Sequence, residues 1–153
     1  MRSVLPIRTL LIALLVISTQ ADADNLLQPS AEYRPDEVIQ IVLEALQQND
    51  DEDSGIATVF RFASPGNRAN TGPLERFTGM IKRGFPDMLN HIGSRTGDIV
   101  IEGDTAMQNV WLTTPAGTEV GYLFQVGKQP SGEFEGVWMT EAVYPLPGKS
   151  QSI

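Results

Sequence analysis

The hydrophobic pattern of this 153-residue chain changes period once, near Asn90, and that switch limits the folds open to it. Before Asn90 apolar residues recur every three to four positions; after it they alternate. The first spacing buries one stripe of a helix, the second one face of a strand. Helices first and strands afterwards predict an α+β fold.

The helical half begins at Pro35, whose missing N–H would be unpaired at the first helical position anyway. Asp36 and Glu37 follow in the first turn, where the helix dipole favours acids. Val38, Ile41, Val42 and Ala45 make one apolar face, and Ile39, Leu43 and Leu46 widen it. Tyr33 is placed to staple onto Val38 across the helix start. Residues 54–77 are expected to organise the rest of the chain. Ile56, Val59, Phe60 and Ala63 form a second helical face, capped by Asp53 or Ser54. Ser64-Pro65-Gly66-Asn67 is expected to stop it, and the connection through Pro73 to re-aim the chain. A third helix opens with Thr71 or Gly72 as cap and Pro73 at its first position, burying Leu74, Phe77 and Ile81 with Met80 alongside. Gly84 and Pro86 end it, and residues 86–89 are expected to add one more turn.

The alternating half predicts an antiparallel meander. Residues 90–95 and 98–102 read as two strands joined by a turn at Thr96-Gly97. Residues 105–114 set Met107, Asn109 and Trp111 against Ala106, Gln108, Val110 and Leu112. Residues 119–126 set Val120, Tyr122, Phe124 and Val126 together, and residues 134–143 form the last strand. Glu119, Glu135 and Glu141 alternate with apolar residues and read as an outer, solvated face. Gly121 and Gly136, inside strands, would let the sheet bend. The expected architecture is three N-terminal helices in the concave face of a strongly curved antiparallel sheet, with a cone-shaped cavity.

Arg2 and Arg8, the apolar run 9–18 and Ala21-Asp22-Ala23 match the n-region, h-region and cleavage site of a signal peptide. The run falls short of the ~20 residues that span a bilayer. The expectation is an exported protein, periplasmic or secreted, cleaved near Ala23, with no stable membrane insertion afterwards. An extended lead at 24–34, one domain at 35–144 and a flexible tail at 145–153 would follow. The chain has 11 Lys and Arg against 19 Asp and Glu; Arg2, Arg8 and Asp22 precede the cleavage point, leaving a net charge of -9. Such a balance argues against nucleic-acid binding, which needs a basic footprint. The absence of cysteine excludes a disulfide or a lipid anchor on a thiol, so the core alone must hold the domain.

The runs G-I-A-T-V-F-R-F-A-S-P-G-N (55–67), T-G-P-L-E-R-F (71–77) and G-V-W-M-T-E (136–141) resemble a domain-of-unknown-function family related to the nuclear transport factor 2-like superfamily. The likeness covers about residues 35–143. It implies an α+β cone, with helices on the concave side of a bent sheet, often dimeric. That superfamily holds ketosteroid isomerase-like enzymes, dehydratases, cyclases and many binding or scaffold domains, so fold alone assigns no activity. The resemblance carries over no active-site residue.

Candidate chemistry is sparse. His91 is the sole histidine, a base near neutrality if an acid such as Asp87 or Asp104 reaches it, otherwise a hydrogen-bonded structural residue beside Asn90. Tyr122 with a carboxylate would resemble an oxyanion donor, yet its neighbours Val120, Phe124 and Val126 read equally as core. Arg61, Arg68, Arg76, Lys82 and Arg83 form a basic region, suited to an anionic ligand or to pairing with residues 50–53 and the carbonyls of the 64–70 turn. The acidic run 49–53 fails the calcium-loop spacing: counted from Asp51, the sixth position is Ile56 where glycine is needed. One histidine and no cysteine leave no metal site. No cofactor is expected. Phe60, Arg76, Asn90, His91, Tyr122 and Trp138 are the expected ligand-binding set, for a small apolar or anionic ligand. The leading reading is a cavity that binds a small molecule or a partner without chemistry. An isomerase or dehydratase using His91 or Tyr122 is the alternative. A homodimer built on Trp111, Val137 and Met139 is the third reading.

Overall fold

The structure is a computed structural model that describes residues 26–148. The expected signal peptide and most of the expected tail lie outside those residues. Four α-helices precede four strands: α1 Pro35–Gln47, α2 Ser54–Phe62, α3 Pro65–Thr71 and α4 Leu74–Gly84, then a 3-10 turn at Pro86–Met88. The strands are β1 Gly93–Glu102, β2 Thr105–Thr113, β3 Glu119–Lys128 and β4 Trp138–Pro145. They pair antiparallel in the order β1-β2-β3-β4. The helix-to-strand switch therefore falls where the hydrophobic period changes.

Helix α1 starts at Pro35 and buries Val38, Ile39, Val42, Leu43 and Leu46, each at 0–1% exposure. Glu37 reaches back to accept from the Arg34 N–H at 2.7 Å, satisfying one of the donors a helix start leaves open. Tyr33 packs on the core and meets the Phe62 ring at 6.3 Å. Helix α2 is capped from its preceding loop. Asn49 Oδ1 accepts from Ile56 N at 3.0 Å, and Asp50 accepts from Ser54 N at 2.9 Å and from the Ser54 hydroxyl. Asp53, one of the two expected caps, is left-handed and makes no side-chain cap. It holds Lys82 of α4 at 2.7 Å instead. The acidic run is thus a capping loop. Among the described residues no group of three or more His, Asp or Glu could hold a metal ion.

The expected stop at residues 64–67 does end α2, at Phe62, and it is also the start of α3. The Ser64 hydroxyl accepts from Asn67 N at 3.1 Å, and Pro65 takes the first helical position. The same Ser-Pro signal that ends one helix opens the next, because proline blocks the preceding residue from helical backbone yet suits a first turn. Three helices become four. Pro73 caps α4 rather than opening it, and Leu74 stays 40% exposed while Phe77 and Ile81 are buried.

Residues 93–102 form one strand, not two. The expected turn at Thr96-Gly97 is an irregularity in the pairing of β1 with β2 between Thr96 and Ile99. Ala106, Gln108, Val110 and Leu112 are buried, as the alternation of β2 requires, and so are Tyr122, Phe124 and Val126 of β3. Residues 133–136 turn before β4 begins at Trp138. Gly136, at φ 78°, accordingly bends a turn rather than a strand. Beyond Pro145, Leu146 N still donates to Gly121 O at 2.8 Å.

A second register shift lies between Gln125 and Val126, which pair with Ala142 and Thr140. Glu141 is the extra residue there. That shift removes Glu141 from the outer alternation expected of it: its carboxylate accepts from the Ser64 hydroxyl at 2.7 Å and from Gln129 Nε2 at 2.9 Å. The free edge of β4 is tied to the helices, because Ala63 bridges Thr140 in parallel fashion and Ser64 N donates to Thr140 O at 2.9 Å. The sheet and helices share one core, in which Phe62 and Phe124 are wholly buried. Each such side chain stabilises the fold by about 1.5–3 kcal/mol through burial. Val137 and Met139 are also buried, and Arg95 lies over the Trp111 ring at 4.1 Å, so the apolar patch expected at these three residues is covered within the chain.

Candidate functional site

A cavity of about 250 Å³ lies between the helices and the β4 side of the sheet. Its apolar wall comes from Val42 and Leu46 of α1, Val59 of α2, Phe77 and Ile81 of α4, and Phe124 of β3. These are core positions, so the periodicity that builds the fold also builds the wall. Met80, Phe85 and Met88 extend it. Flexible methionines let such a wall adjust to an occupant.

The polar side is narrower. Asn67, Asn70 and Thr71 of α3 and Thr140 and Glu141 of β4 line it. The Asn67 amide donates to the carbonyls of Thr140 at 3.3 Å and Glu141 at 3.0 Å, clamping α3 to the sheet edge. The Thr71 hydroxyl lies 2.8 Å from Asn67 O and 3.0 Å from Asn67 Oδ1. The Thr140 hydroxyl stands apart. Thr140 is 4% exposed, and its Oγ1 has no hydrogen-bond partner among the described residues. A buried hydroxyl left unpaired is costly by about 1–3 kcal/mol, so buried hydroxyls are normally paired with protein, water or a ligand.

The six residues expected to bind a ligand lie outside this lining. Phe60 stands one layer behind, its ring 5.1 Å from that of Phe77. Arg76 is exposed on α4. Asn90, at φ 52°, donates its amide to Gln47 O at 3.3 Å and Asn49 O at 2.8 Å, closing the end of α1. His91 is 2% exposed, with Nδ1 2.8 Å from Met88 O. A carbonyl only accepts, so that nitrogen carries a proton. Tyr122 is buried against Phe85, and its phenol is raised above the ordinary tyrosine value, first by burial and then by the Asp87 charge. Trp138 is half-buried with the Lys128 ammonium 6.0 Å from its ring. Structural contacts thus account for the surroundings of His91, Asn90 and Tyr122. The basic region disperses as well: Arg61 donates to Leu27 O, Arg68 lies over Phe134, and Lys82 pairs with Asp53.

Spacing along the chain does not mark most of these polar residues as a site, yet the sequence carries a signal for four of them. Asn67, Thr71, Thr140 and Glu141 all fall inside the three runs that carry the family resemblance. Those runs lie far apart in sequence, and the fold brings them to one rim. A family model described as "Domain of unknown function (DUF4864)" matches residues 30–153. No curated protein and no solved structure matches the chain.

Proposed function

The chain belongs to the DUF4864 family of domains of unknown function, and from that premise we propose that it is a non-catalytic binding protein for a small, mainly apolar molecule. The observation that carries this reading is the cavity of about 250 Å³ walled by Val42, Val59, Phe77 and Phe124, with a buried and unpartnered Thr140 hydroxyl on its polar side. Ligand sites of this kind are mostly apolar with a few placed polar groups. The finer architecture proposed is a nuclear transport factor 2-like cone, in which the sheet wraps the helices. The protein is further proposed to act outside the cytoplasm after cleavage near Ala23. Non-catalytic binding is favoured because His91 and Tyr122 stand outside the cavity lining, where Glu141 is the sole titratable residue. A general base must come within hydrogen-bond reach of its substrate.

Native mass spectrometry of the mature protein, purified from its own cell envelope, tests the reading. A co-purified small molecule released on denaturation is the expected result. A bare polypeptide at the mass of a dimer would overturn it in favour of a structural role.

A further inference from the structure

The class of ligand follows from which polar groups of the cavity remain open, and this step rests on the binding reading above. A cavity selects its occupant through groups that the protein has not already satisfied. Asn67 is occupied: its amide holds two β4 carbonyls, and its Oδ1 lies 3.0 Å from the Thr71 hydroxyl. The Thr71 proton is directed at Asn67 in turn. Glu141 is occupied at both oxygens, by Ser64 and by Gln129. Its carboxylate also lies where Gly127 has no side chain, since a Cβ there would fall 2.7 Å from Glu141 Oε1. It is therefore held by two hydrogen bonds, beside the bare backbone of Gly127. Thr140 remains. It pairs with Val126 in the sheet, and Val126 belongs to the core between sheet and helices, so the two side chains share the face that bounds the cavity. Its hydroxyl has a proton to donate and no partner among the described residues.

Charge narrows the class further. The lining contains no Lys, Arg or His, so an anionic head would meet no cation. An ammonium head would have to share the Glu141 oxygens with Ser64 and Gln129, which already donate to one each. Size supplies the last limit. An apolar cavity of about 150 Å³ holds benzene, so one of this volume suits about ten heavy atoms. We infer that the cavity takes a neutral, mainly apolar molecule of that size bearing one acceptor oxygen, a ketone, ether, ester or alcohol, which receives the Thr140 proton.

Isothermal titration calorimetry on the full chain tests this with four probes of one shape: 4-phenyl-2-butanone, butylbenzene, 4-phenylbutylamine and 4-phenylbutyrate. The ketone should bind tightest, butylbenzene about fivefold more weakly for want of the hydrogen bond, and the two charged probes more weakly still. Thr140→Val keeps the side-chain shape and removes the hydroxyl. It should erase the ketone's advantage while leaving butylbenzene binding in place, and Thr140→Ser should restore the advantage. Tightest binding by the amine or the acid, or a ketone advantage that survives in Thr140→Val, overturns the ligand class alone. Failure of all four probes to bind overturns the binding reading and this inference with it.

Discussion

Asn90 shows how one residue can look functional and serve the backbone. It follows the last helical turn, takes φ 52°, and donates to the carbonyls of Gln47 and Asn49. Asparagine tolerates left-handed backbone better than residues with bulkier side chains, and its amide satisfies carbonyls that a helix end leaves open. Asn90→Ala loses both bonds and strains the backbone, and should lower stability by about 1–3 kcal/mol in urea unfolding. Asn90→Gly relieves the backbone and should lose less. Neither change should alter probe binding, and a loss of binding at unchanged stability would return Asn90 to the ligand site. His91, next in the chain, is likewise held by its contact with Met88 O. Single residues of catalytic type are thus poor guides here, because their side chains are engaged by neighbours in the fold.

Among the elements, the junction of α1 with α2 is the tightest. Gly55 is buried at the start of α2, and a Cβ there would stand 2.0 Å from the Ala45 carbonyl. No rotamer change relieves a clash with backbone. Gly55→Ala should therefore force α1 and α2 apart and destabilise the protein by about 1–3 kcal/mol, read as a lowered midpoint in thermal unfolding. A neutral effect would show that the crossing is looser than its geometry. The elements that were hardest to read are also the ones that frame the cavity. Helix α3 is seven residues long and buries none of them, so it has no hydrophobic period to reveal it. Its supports are the Ser64 cap and the Asn67 clamp onto β4, both made to residues remote or polar. The register shift at Glu141 is equally silent in sequence, since a regular alternation through residues 134–143 fits the same letters.

At the scale of the molecule, cavity and core are one structure. Phe124 is wholly buried among the residues that join sheet and helices, and it also lines the cavity. Phe124→Ala should cost about 3–5 kcal/mol, a large share of the 5–15 kcal/mol typical of a folded domain. Because helices and sheet share that core, loss of helical signal and loss of tryptophan environment should follow a single urea transition. Two separated transitions would mean that the helical layer melts independently of the sheet.

The order of helices then strands, the start of α1 at Pro35, and the buried faces of α1, β2 and β3 were legible in the sequence. These features depend on local spacing and on the chemistry of single residues, and both are written in consecutive letters. The fourth helix, the continuous β1, the shift at Glu141 and the cavity with its open Thr140 hydroxyl were decided by tertiary structure. Each depends on partners that are not sequence neighbours: Ser64 on Glu141, Asn67 on the carbonyls of β4, Val126 on Thr140. A side chain's remaining hydrogen-bonding capacity is what is left after such partners have been met, and spacing along the chain does not determine which partners those are.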